Sequence, residues 1–213
     1  HLSIRRQRQM CIRDSCKYML LPYLKEFIHR NPHISISIEC QSTNETLKLL
    51  DDDKIDIGLI GKPASLKTFN FYYLDNIEDI FVTTKDYLRN LSARGVKKSE
   101  ILQNSTLMLL DKGNMTRKYI DDYLQENQIH VKDSIDISNM DLLIDFAKIG
   151  VGVACVIKSI VSKELADGTL IEIPLGIPIH KREVGFAYKE SSKLSTSLQT
   201  FIKFYESYTP EDF

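Results

Sequence analysis

Leu47-Lys48-Leu49-Leu50-Asp51-Asp52-Asp53-Lys54-Ile55-Asp56-Ile57-Gly58-Leu59-Ile60-Gly61 decides the fold class. Leu47 and Leu50 continue an amphipathic helix, Asp51-Asp52-Asp53 makes a tight acidic turn, and residues 55–60 are apolar apart from Asp56. A short apolar run bounded by turn residues reads as a strand buried on both faces of a parallel sheet. The helix has its own start signal. Ser42 and Glu45 stand at capping-box spacing, where hydroxyl and carboxylate satisfy end amides reciprocally. Upstream, Ile34, Ile36 and Ile38 alternate with Ser35 and Ser37, the pattern of a strand with one apolar face. Before them Leu20, Leu21, Leu24, Phe27 and Ile28 share a helical face, with Pro22 suited to the first turn and Asn31-Pro32 as the stop. Residues 20–60 thus read helix–strand–helix–strand, and the two strands would form a right-handed βαβ unit.

The alternation continues outward. Strands are predicted over residues 69–73, 80–84 and 106–110, with a short helix near residues 99–103. A helix carries Tyr119, Ile120, Tyr123 and Leu124 on one side, and residues 129–137 are strand-like. Ser138 and Asp141 are placed to cap a helix whose core side is Met140, Leu143, Ile144 and Ala147, and Gly150 suits its left-handed end. Residues 151–157 form a buried strand, residues 183–188 a last strand and residues 194–205 a last helix. Strands and helices alternating throughout argue an α/β protein.

With 213 residues, 43% apolar and 27% charged, the chain has room for one large or two small domains of ordinary globular composition. No apolar run is long enough for a transmembrane helix, and no secretory signal pattern is visible. The net charge of −1 gives no reason to expect nucleic-acid or membrane affinity from this chain. Cys11, Cys16, Cys40 and Cys155 show no C-x-x-C spacing, so a reduced, cytoplasmic protein is expected.

The sequence holds no phosphate-loop or dinucleotide fingerprint and no G-x-S-x-G elbow. The five histidines fall in no metal-ligand spacing, so no metal and no cofactor is expected. Spacing leaves a Cys155–His180 pair open, although Cys155 sits inside an apolar strand, which favours an inert thiol. What stands out is a set of polar helix starts: Ser42-Thr43, Asn114-Met115-Thr116-Arg117 and Ser138-Asn139 each follow a strand. Such ends present unpaired amides and a partial positive charge, suited to a carboxylate or another anion.

These residues resemble the effector-binding domain of LysR-type transcriptional regulators from about Cys16 to Tyr205. The resemblance rests on Leu20-Leu21-Pro22-Tyr23-Leu24, Glu45 to Gly61, Glu78-Asp79-Ile80-Phe81-Val82, Asp141-Leu142-Leu143 with Gly150-Val151-Gly152-Val153-Ala154, then Leu194-Ser195 and Phe201-Ile202. It implies an α/β, periplasmic-binding-protein-like (type 2) fold. Two α/β subdomains, residues 16–83 with 189–213 and residues 84–188, would be joined by two crossing strands with a cleft between them. It also implies a non-enzymatic, cytoplasmic domain that binds a small anionic effector through Ser42, Thr43, Thr116, Ser138 and Asn139, with Val156 and Ile157 close by. Family members form homodimers or homotetramers and contact DNA through an N-terminal winged helix-turn-helix, which is not in this sequence. The alternative on the same fold is a transporter's solute-binding protein. An enzyme reading rests on the Thr116-Arg117 pair, which faintly resembles that of prephenate dehydratases.

Residues 1–15 depart from the family pattern, which places a strand and a glycine-bearing polar loop here. They carry Arg5, Arg6, Arg8 and Arg13 against Asp14, a net +3, and have no periodicity. The string resembles translated sequencing-adapter sequence and is read as non-native or disordered. Resequencing the 5′ end of the gene is expected to replace it; the same codons found in frame would contradict that reading.

Overall fold

The computed structural model describes residues 19–38, 43–63, 65–66, 68–112, 114–189 and 195–208. In chain order its main elements are α1 (Leu21–Arg30), α2 (Thr43–Asp51), β1 (Gly58–Gly61), β2 (Phe69–Ile77), β3 (Asp79–Thr83), α3 (Lys85–Ala93), α4 (Ile101–Asn104) and β4 (Thr106–Leu110). They continue with α5 (Met115–Glu126), β5 (Asp133–Ile137), α6 (Met140–Lys148), β6 (Val153–Ile157), α7 (Ser162–Ala166), β7 (Ile171–Glu172), β8 (Arg182–Lys189) and α8 (Thr196–Ser207). The chain divides into two compact units, residues 1–75 with 183–213 and residues 76–182. The boundaries expected at Thr83-Thr84 and Tyr188-Lys189 therefore differ from those observed. The reason is β3, which pairs with β6 and β7 and so belongs to the second unit's sheet.

Unit one is built on a three-stranded sheet in the order β1-β8-β2. α2 keeps its expected span, and Leu50, Ile60 and Ala187 form a small core with Leu47, Ile55, Phe69 and Phe71 packed against it. The strand is shorter than expected, starting at Gly58, and it runs antiparallel to β8. Residues 34–38 are not in a strand, and Ile36 and Ile38 are 39% and 53% exposed. Alternation supplies an apolar face, but a strand also needs a partner, and among the described residues none pairs with this segment. The expected βαβ unit is therefore absent among the described residues. Instead Ile34, Ile36, Ile38, Ile55, Ile57 and Leu59 help line a cavity of about 370 Å³ within the unit. α1 and α8, which line the same cavity through Phe27 and Phe201, are stitched by aromatic rings: Phe27 lies edge-on to Phe201 at 5.1 Å, and Tyr23 stacks on Tyr205 at 3.9 Å. Ser42 and Cys40 lie outside the described residues.

Unit two is built on a five-stranded sheet in the order β5-β4-β6-β3-β7. β4 runs parallel to β5 and β6, whereas β3 is antiparallel to β6 and β7, so the sheet is mixed. Leu107 and Leu109 of β4 face a core with Ile120, Tyr123 and Leu124 of α5, Leu91 of α3 and Leu102 of α4. α3 was missed because residues 85–93 are mostly polar and bury only Leu91; Thr84 caps it by accepting from the Tyr87 amide at 3.2 Å. Strand alternation turns Met108 and Leu110 to the other face, and α6 packs on β3, β4, β5 and β6.

α6 ends as its sequence dictates. Gly150 adopts φ +75°, its amide donates to Ala147 O at 3.0 Å, and the Val151 amide donates to Phe146 O at 3.2 Å, a paired glycine stop. Two residues on, Gly152 passes so close to β4 that a Cβ there would stand 2.3 Å from the Thr106 carbonyl oxygen. The obstacle is backbone, so the strands must separate to admit a side chain. Gly152→Ala is expected to lower stability by about 1–3 kcal/mol in urea unfolding; an unchanged midpoint and slope would show that β4 and β6 yield freely.

Candidate functional site

The ladder of unit two fixes which residues meet. Because β4, β5 and β6 are parallel, Leu110, Ile137 and Ile157 end at the same edge of the sheet. β3 begins there, with Asp79 opposite Ile157. The chain leaves β4 toward β5 on one side and leaves β6 toward β7 on the other. That divergence is a topological switch point, the position where open α/β sheets hold ligands.

Each strand end has its own polar group. After β4, Asn114 is 5% exposed and its Oδ1 accepts from the Thr116 amide at 2.8 Å, capping α5. After β5, Asn139 caps α6 by accepting from the Leu142 amide at 2.8 Å. The expected Ser138/Asp141 cap is thereby corrected: Ser138 stands one residue too early, is exposed, and only receives a contact from Asn139 Nδ2 at 3.5 Å. After β6, the Lys158 amide donates to Glu78 O at 2.8 Å and its Nζ lies 3.2 Å from Glu78 and 3.0 Å from Glu172. Thr116, Ser138, Asn139 and Ile157 therefore belong to one sheet edge. Val156 and Ile157 are themselves buried core, 0% and 6% exposed, and contribute the strand end more than a side chain. Thr43 opens α2 in unit one and is half-buried.

Two charged groups at this edge were not singled out from the sequence. Asp79 is fully shielded and is held bidentately by Arg182: Nε to Oδ2 and Nη2 to Oδ1, both 2.9 Å. Arg182 Nη2 also reaches Thr116 Oγ1 at 3.3 Å, and Cζ lies 5.1 Å from the centroid of the Tyr119 ring. Burial pushes the Asp79 carboxyl above its usual range, against the pull of the Arg182 guanidinium. The partners stand 103 residues apart, so no local pattern announces them.

Arg117, by contrast, is turned inward. It is 6% exposed and donates to Leu110 O at 2.8 Å, Asp136 at 2.6 Å and Asp121 at 2.8 Å. Burial opposes its charge, but the Asp136 and Asp121 carboxylates outweigh this and hold the guanidinium above its ordinary value. A side chain so committed ties α5 to β4 and β5, and the Thr116-Arg117 pair offers no exposed cation. Cys155 lies in β6, 3% exposed, and burial pushes its thiol well up, while His180 is exposed and accepts a Tyr119 hydroxyl hydrogen bond at its carbonyl. Among the described residues no cluster of His, Cys, Asp and Glu is arranged to hold a metal, and no helix is long and apolar enough to cross a membrane.

Comparison with known proteins agrees with this architecture. The profile of the LysR substrate binding domain matches residues 8–209. Among curated relatives, the chain is 22% identical over 188 residues to the uncharacterized HTH-type transcriptional regulator YeiE of Escherichia coli K12, covering 88% of this chain and 63% of the relative. It is 25% identical over 194 residues to the HTH-type transcriptional activator CmpR of Synechocystis, covering 88% and 61%. The chain thus spans about three-fifths of the length of these regulators. Among solved structures, the regulatory domain of Synechocystis CcmR in complex with 2-PG superposes with a TM-score of 0.73 at 18% identity, covering 90% of this chain and 91% of that one. The effector-binding domain of QuiR in complex with shikimate gives 0.67 at 16%, covering 89% of each. The fold is accordingly the type 2 periplasmic-binding-protein-like fold of those domains.

The Cys155 assignment is open to direct test. In a chain carrying Cys11→Ser, Cys16→Ser and Cys40→Ser, the remaining thiol is expected to resist a disulfide-exchange reagent until denaturant is added. Rapid labelling of the native chain would show a reactive cysteine.

Proposed function

The chain belongs to the LysR substrate-binding domain family, and from that premise we propose that it is the effector-sensing domain of a bacterial transcription regulator, taking up a small anionic metabolite. The observation that carries the ligand class is the edge of unit two. There the capped starts of α5 and α6 and the end of β6 share one end of the sheet. Helix starts place a partial positive charge and oriented amides there, which favour a carboxylate or phosphate over a neutral solute. In this reading the effector contacts are Ser42, Thr43, Thr116, Ser138 and Asn139. CcmR with 2-PG and QuiR with shikimate support small molecules as the ligand class.

In the whole regulator, copies pair as homodimers or homotetramers in the cytoplasm, and DNA contact falls to the helix-turn-helix segment that the names of the relatives record. The domain itself performs no catalysis in this account, and Arg117 is a structural tie. The relatives are regulators, which favours this reading over a transporter's solute-binding protein. Binding is expected to shift the equilibrium between two arrangements of the domain only by its differential affinity for them.

Titration calorimetry with small carboxylates and phosphates is expected to find a ligand for the purified chain. Thr43→Ala is expected to weaken that ligand by about 1–3 kcal/mol with the far-ultraviolet spectrum unchanged, the range for losing one hydrogen bond to a charged group. Equal affinity in the variant would remove Thr43 from the site.

A further inference from the structure

Arg182 is anchored on one side only. Nε and Nη2 are committed to Asp79 and Thr116, while Nη1 donates to no described residue. The Asp79 side chain is completely shielded from solvent, whereas 20% of the Arg182 side chain is reached by it. A two-point pair with a buried carboxylate fixes the plane of a guanidinium, which is rigid and permanently charged. The remaining donors are then pre-oriented, so a ligand would not have to order them. The location is specific as well. Thr116 follows the end of β4 and Asp79 stands opposite the end of β6, so Arg182 bridges the two strand ends between which the connections diverge. A salt link that served only to fasten two strands could have closed over at any part of the sheet. This one lies at the switch point, the position where α/β sheets receive ligands.

We propose that Arg182 is the anion-recognising residue of unit two, offering its Nη1 edge to the carboxylate or phosphate of the effector, with Asp79 as the positioning counter-ion that holds the fork in place. This rests on the effector-sensing reading above. Tyr119 supports the arrangement from the side, its ring against the guanidinium and its hydroxyl tied to the His180 carbonyl at 2.6 Å. The pair as a whole is neutral, so the net attraction for an anion comes from the exposed donors together with the partial charge of the α5 start.

The test is calorimetry of the complete chain with shikimate, benzoate and inorganic phosphate, repeated at low and high salt. Arg182→Gln alone would leave a buried carboxylate without its partner, so the main variant is the double Asp79→Asn, Arg182→Gln. It replaces the pair by amides of similar size. The wild type is expected to take at least one of the three anions. The folded double variant should bind it about 10- to 100-fold more weakly and with a flatter salt dependence, since charge-assisted donors are lost. A folded double variant that binds the same anion within about twofold, with the same salt dependence, overturns the role of Arg182 and leaves the effector-sensing reading standing. A wild type that takes none of the three overturns the anionic-effector reading and this inference with it. If the double variant does not fold, Arg182→Lys decides. It keeps the charge but not the fork, and a loss of about tenfold supports the proposal while unchanged affinity refutes it.

Discussion

β4 has a parallel neighbour on each side, and the chemistry available to unit two follows from that pairing. Parallel strands require crossover connections, and here α5 and α6 supply them. Each crossover returns the chain to the same end of the sheet, so the strand ends at Leu110, Ile137 and Ile157 gather on one edge. The first amides of α5 and α6 have no carbonyl before them in their helices and must be satisfied from outside. Asn114 and Asn139 each answer one such amide. The polarity of the edge is thus a result of topology, and the sequence needs only a small capping residue after each strand to complete it.

Charge at that edge is disciplined by burial. Placing Asp79 where no water reaches would be prohibitive without a partner, and Arg182 meets it with two parallel hydrogen bonds. The same logic governs Arg117, whose guanidinium is as well buried but whose acceptors surround it. Two arginines near one helix start therefore have opposite fates. One is consumed by the scaffold, and the other is held by a single carboxylate and keeps donors to offer. Gly152 belongs to the same economy of space, because only its lack of a side chain lets β6 approach β4 closely.

Much of this was legible in the sequence because it depends on local signals. The apolar run at residues 106–110 became β4 without adjustment, and the capping signals near Ser42 and Asn139 marked the starts of α2 and α6 to within a residue. Gly150 took the left-handed conformation its position after an amphipathic helix required. What failed depended on partners. Ile34, Ile36 and Ile38 have the alternation of a strand, yet pairing is a property of two segments, and alternation in one cannot supply the other. β1 has the composition of a parallel-sheet strand but lies antiparallel to β8, a neighbour more than a hundred residues away. Arg182 and Asp79 escaped for the same reason, since each alone reads as an ordinary charge beside a strand. α3 escaped because it is short and mostly polar, with Leu91 its one fully buried side chain.

The central claim is that the edge formed by β4, β5 and β6 receives an anionic effector. Amide-resolved nuclear magnetic resonance of the chain, titrated with the strongest-binding small oxyanion, addresses it most directly. The account predicts that within unit two the largest shifts fall on the amides of Thr116, Arg117, Asn139, Met140 and Lys158. Saturable shifts confined to the opposite edge of the sheet, around Ser105, Thr106 and Gly152, would contradict it.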